Sequence, residues 1–89
     1  MKTFDDLIFK PHIRGGGIIH ATMHFDNGYG ISVIDYNDDI DNFAPPGCGF
    51  EIAVLKNNEL CYDTEVADDV LRYLNKEDVT KIMEQIQNL

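Results

Sequence analysis

The chain has 89 residues, enough for one domain whose core buries roughly 60–65 % of the surface that the unfolded chain exposes. Sixteen acids against seven bases leave a formal net charge of −9, which opposes binding to nucleic acid or to an anionic membrane surface. An apolar share of 44 % excludes an intrinsically disordered chain, and no apolar run reaches the roughly 20 residues of a membrane-spanning helix. In Met1–Lys10 the spacing of Phe4, Leu7 and Ile8 suits a short helical turn with Thr3 as N-cap. Ile8-Phe9 can continue as an edge strand, and Pro11 ends either element. This start carries no long apolar stretch and does not read as a signal peptide, so a cytoplasmic location is expected. Arg14-Gly15-Gly16-Gly17 leads into a strand, whereas a phosphate cradle needs a helix N-terminus after its glycines.

Ile18–Tyr36 is the stretch around which the rest is organised. Asn27-Gly28 suits the two middle positions of a type I′ turn, and β-branched and aromatic residues flank it on both sides, which predicts a two-residue β-hairpin. That turn sets a register in which Phe25 faces Gly30, Met23 faces Ser32, Ala21 faces Ile34 and Ile19 faces Tyr36. The other face then carries the pairs His24–Ile31, Thr22–Val33 and His20–Asp35.

Asn37–Cys48 reads as a long loop, because Pro45-Pro46-Gly47 cannot sit inside a regular element. A second hairpin follows, with Phe50–Lys56 and Glu59–Asp63 joined at Asn57-Asn58 and with Leu55–Leu60, Val54–Cys61 and Ala53–Tyr62 opposed. Both faces of Phe50–Leu55 are apolar, as in a central strand. Thr64 is placed to cap a helix in which Val66, Ala67, Val70, Leu71 and Leu74 form an apolar stripe. Asn75 ends it and caps a second helix with Val79, Ile82, Met83, Ile86 and Leu89 on one side. The fold class expected is α+β: a four-stranded antiparallel meander of two hairpins, with two C-terminal helices packed on one face, in a single domain over 1–89.

Few constellations offer chemistry. His20 and His24 on a strand stand about 13 Å apart, too far to share an ion. Asp35-Tyr36-Asn37-Asp38-Asp39-Ile40-Asp41 alternates oxygen ligands like a calcium loop, but Ile40 and Pro46 occupy the places of the required Gly and Glu. Cys48 and Cys61 lack metal-binding spacing and are expected as free thiols in a reducing compartment. No nucleophile–base pair emerges, so the expectation is a protein without catalytic residues, metal or cofactor. The acids remain: Asp38, Asp39 and Asp41 on the loop, and Asp68 and Asp69 on the first helix, beside Asp63 and Glu65. Complementarity to the positive end of that helix accounts for the second group in the simplest way. Together the two groups can also form an acidic surface for a basic protein partner.

The segments TFDDLIFKPH (Thr3–His12), FDNGYGISVI, EIAVLKNNELCYDT and DDVLRYLNKEDVTKIMEQIQNL resemble small proteins encoded by bacterial tailed phages and prophages. The resemblance covers nearly the whole chain and departs from the pattern in the 37–48 loop. It implies an origin and a fold, and it supplies no catalytic residue. By class-level analogy it implies an accessory protein in the cytoplasm of an infected or lysogenic host, binding a host protein with a basic surface and blunting host defence. A small-ligand binding or sequestering module, using the Gly-rich approach and the histidine face of the hairpin, is the alternative.

Overall fold

The computed structural model describes residues 1–11, 18–35, 49–67 and 69–89. A 3-10 turn at Phe4–Asp6 precedes six strands: β1 Lys10–Pro11, β2 Ile19–His24, β3 Tyr29–Asp35, β4 Phe50–Lys56, β5 Glu59–Leu60 and β6 Leu71–Leu74. Helix α1, Lys76–Gln87, closes the chain. All strand pairs are antiparallel and run in the order β1-β2-β3-β4-β5. Strand β6 pairs with β4. Because β3 occupies one edge of β4, β5 and β6 share the other, β5 at Leu55-Lys56 and β6 at Phe50–Ile52. The α+β class stands. The expected four strands and two helices are corrected to a six-stranded sheet with one C-terminal helix.

Strand β4 is the centre, as its two apolar faces predict. Phe50, Ile52 and Val54 point to the helix side and are buried; Glu51, Ala53 and Leu55, on the other side, are buried too. Helix α1 lays Val79, Ile82, Met83 and Ile86 into one core with Ala21, Ile31, Val33, Ile52 and Val54. Its N-terminus is held by a reciprocal cap in which the Asp78 N–H donates to Asn75 Oδ1 (2.8 Å) and the Asn75 N–H donates to Asp78 Oδ2 (3.1 Å). The N-terminal segment is fixed across the helix. The Phe4 N–H donates to Thr80 Oγ1 (3.1 Å), and the Lys2 backbone and the Gln87 side-chain amide exchange two hydrogen bonds of 2.8 Å. Phe4, Phe9 and Phe50 then meet with ring centres 5.1–6.1 Å apart.

The first hairpin is real, but its register is one residue away from the expected one. Of the loop residues only Gly28 has positive φ, at 87°, so the type I′ turn is absent. The Gly28 N–H donates to the Phe25 carbonyl (3.3 Å) and the Phe25 N–H to the Tyr29 carbonyl (2.8 Å), closing a three-residue loop at Asp26-Asn27-Gly28. This is a type I turn followed by a left-handed glycine. Met23 therefore faces Ile31, Ala21 faces Val33, Thr22 faces Ser32, His20 faces Ile34 and Ile19 faces Asp35. A slip of one residue turns one partner strand over relative to the other. Ile31 and Val33 accordingly leave the histidine face and join the core. Gly30 sits opposite His24, where a Cβ would come within 2.5 Å of the Met23 carbonyl oxygen. The type I′ turn belongs to the second hairpin: Asn57 and Asn58 have φ of 52° and 71°. Leu55 faces Leu60 and the Cys61 N–H reaches the Val54 carbonyl (2.8 Å), as expected, while the ladder ends before Tyr62.

The helix expected to begin at Thr64 is absent among the described residues. Thr64 caps a local turn instead, its Oγ1 accepting the Ala67 N–H at 3.3 Å, and Leu71–Leu74 is a strand. Its pairing is Phe50 with Leu74 and Ile52 with Leu71, so β6 fits one more residue into the interval than β4 does. The bulge puts Leu71 and Leu74 on the core side although they are three residues apart, a spacing that in an unbroken strand would place them on opposite faces. Tyr73 takes up the irregularity with φ 60°.

Candidate functional site

Of the acids singled out in the sequence, Asp38, Asp39, Asp41 and Asp68 lie outside the described residues, as does the 37–48 loop. Asp69 is exposed in the bend before β6, where its Oδ1 accepts the Val70 N–H at 2.7 Å. Asp63 and Glu65 are exposed as well. Since the described residues between Thr64 and β6 form no helix, complementarity to a helix dipole there does not account for Asp63, Glu65 and Asp69. Between Asn57 and Leu71 the sequence has five acids, Glu59, Asp63, Glu65, Asp68 and Asp69, and no Lys or Arg.

The cations that flank this stretch each have a partner, and Lys56 also borders a cleft at β5. Lys56 Nζ lies 5.4 Å from the centre of the Tyr29 ring, and Arg72 Nε is 2.8 Å from Glu51 Oε1. Glu51 is 9 % exposed on the central strand, so the ion pair anchors β6 to β4 on the side away from the helix. Beside these charges stand exposed apolar side chains that the sequence pattern assigns only to strand pairing or a helix: Leu60, Tyr62 and Tyr73, at 58 %, 39 % and 57 % exposure. They follow the β5–β6 edge of β4. Leu60 stands opposite Leu55, and Tyr73 lies in the bulge at the level of Glu51, four strand positions away or roughly 13 Å. This open cleft of about 340 Å³ at the β5 end is lined by Lys56, Asn57, Glu59, Leu60, Cys61, Tyr62 and Asp63, so two carboxylates and one ammonium border it. The Cys61 thiol is free.

The histidine face differs from its expected form. His20 and His24 share one face of β2, but their cross-strand neighbours are Ile34 and Gly30. Ile31 and Val33 are fully buried on the opposite side. The apolar half of the expected ligand surface is therefore part of the core, and the expected His20–Asp35 pair is replaced by His20–Ile34. Among the described residues no three His, Cys, Asp or Glu side chains gather where they could hold a metal ion, and no helix is long and apolar enough to cross a membrane. A second open cleft, between Met1-Lys2, the first hairpin turn and Gln87, is crossed by the hydrogen bonds that hold the N-terminus to α1. A scan of protein-family models and searches of curated proteins and of solved structures each found nothing that matches this chain.

Proposed function

We propose that the protein is a non-enzymatic accessory protein of phage or prophage type that binds a host protein with a basic surface, an activity suited to the inhibition of host defence. The observation that carries this reading is the run of five acids without a base between Asn57 and Leu71, in a segment where no helix end explains the described ones. Its exposed carboxylates sit beside exposed leucine and tyrosine side chains, the mixture of charged rim and aromatic contact found in protein interfaces. The acids of the 37–48 loop, Asp38, Asp39 and Asp41, extend the same charge in sequence. The working compartment in this reading is the cytoplasm of the infected or lysogenic host.

The test is affinity capture from a bacterial lysate on the immobilised protein, followed by identification of what a salt step releases. Exposed charges are screened over about 8 Å at physiological ionic strength, so a partner held this way dissociates as salt rises. A variant with Asp38, Asp39, Asp41, Asp68 and Asp69 changed to Asn or Ser should keep its melting temperature and associate more slowly with the captured protein. A partner that binds this variant as fast as the wild type at low salt contradicts the proposal.

A further inference from the structure

Of the six large apolar side chains exposed among the described residues, Leu60 and Tyr73 lie on the β5–β6 edge of the sheet and Tyr62 follows just past β5. An exposed edge usually invites another strand. This one is blunted: β5 has two residues, and β6 carries a bulge and the charged Arg72. A partner therefore docks here through side chains more readily than through backbone pairing. Tyr73 bears on which side chains those are. It holds φ 60°, a conformation that Gly or Asn adopts at far lower cost, and the residue is 57 % exposed. Tyr62, just past the end of β5, presents a second exposed ring in the cleft that Asp63 also lines.

Resting on the acidic-surface reading above, we infer that the Leu60–Tyr62–Tyr73 edge recognises arginine side chains of a basic protein partner. Guanidinium groups stack on the tyrosine rings and pair with the carboxylates of Glu59 and Asp63, which line the cleft with Tyr62. Charge complementarity selects a cationic occupant. The aromatic rings select arginine over lysine, because the planar guanidinium both stacks and donates two parallel hydrogen bonds to one carboxylate, whereas an ammonium is a compact and strongly hydrated charge. Leu60 and the floor of its cleft receive the aliphatic stem.

The experiment uses two labelled peptides of equal length and charge, one arginine-rich and one lysine-rich, titrated with the whole protein by fluorescence anisotropy at low salt. The arginine peptide should bind about tenfold more tightly. Tyr73→Gly and Tyr73→Asn, which suit the left-handed backbone and remove the ring, should bring its affinity down toward that of the lysine peptide without lowering the melting temperature. The Asn variant serves if the Gly variant loosens β6. Equal binding of the two peptides overturns the arginine edge and leaves the acidic surface standing, as does an arginine preference that survives both Tyr73 variants and Tyr62→Ala. If neither peptide binds, both readings are overturned.

Discussion

The Asn27 side-chain amide donates to the Ile86 carbonyl at 2.9 Å, so the turn of the first hairpin caps the last turn of the only helix described. A helix leaves its final carbonyls without intrahelical donors, and α1 has no Lys, Arg or His in its last turn to cover them. The same Asn27 accepts the Tyr29 N–H through Oδ1 (3.1 Å), which fixes the side chain for this reach. Alongside, the Asn57 N–H donates to the Gly28 carbonyl (3.1 Å), so both hairpin turns and the helix end meet at one pole of the molecule.

Asn27→Ala removes three side-chain hydrogen bonds, to the Ile86 and Leu89 carbonyls and from the Tyr29 N–H, and should cost about 1–2 kcal/mol in urea unfolding with an unchanged m-value. Asn27→Gly should cost about as much. If the backbone conformation of a type I′ turn were the reason for Asn27, the glycine variant would be neutral or stabilising.

The second turn should respond in the opposite sense. Asn58 has φ 71°, and glycine takes that conformation without strain, so Asn58→Gly should raise stability by about 0.5 kcal/mol. Gly28→Ala, at φ 87°, should lower it by about 1 kcal/mol or more. Paired thermal melts of the two variants check both signs.

Two capping residues give unequal outcomes. Asn75→Ala breaks the reciprocal cap of α1 and should cost about 1 kcal/mol, while Asn75→Asp should be close to neutral. Thr64→Ala disturbs two long, part-buried turn bonds to the Ala67 backbone, of 3.3 and 3.4 Å, and should cost about 0.5 kcal/mol or less. Equal losses at the two positions would mean that Thr64 starts a helix after all.

Core and edge separate in the same way. Met83 is fully buried under the sheet, and Met83→Ala should cost about 2–5 kcal/mol. Leu60 is 58 % exposed, and Leu60→Ala should stay within about 0.5 kcal/mol while weakening the binding of basic peptides.

The parts of the fold legible from sequence are those fixed by local chemistry. The apolar spacing of Val79, Ile82, Met83 and Ile86 after Asn75 is a helix signal with a cap in front of it, and α1 follows it. Phe50–Leu55, apolar on both faces, is the central strand. The errors arise where two structures share one pattern. Asn-Gly suits a type I′ turn and also the last two places of a three-residue loop, and the choice between them moved every cross-strand pair by one. Leu71 and Leu74 are spaced as on a helix, yet a bulge at Arg72-Tyr73 brings a strand to the same spacing. That error carried into the site, because a helix at Thr64 supplied a structural reason for Asp63, Glu65 and Asp69 that their actual loop does not. The exposure of Tyr62 and Tyr73 has no signal in the sequence, where one falls in a strand pattern and the other in a helix pattern. A left-handed tyrosine has no sequence signature at all.

The measurement that tests the proposed binding surface most directly is a titration of isotope-labelled protein with the arginine-rich peptide, followed by amide and side-chain NMR shifts. The β5–β6 edge predicts saturable changes concentrated at Glu59–Asp63 and Leu71–Leu74, including the Tyr62 and Tyr73 ring signals, with little change on α1 or at Asn27. Changes centred on the helix or on the histidine face of β2, with both tyrosine rings unmoved, would contradict it.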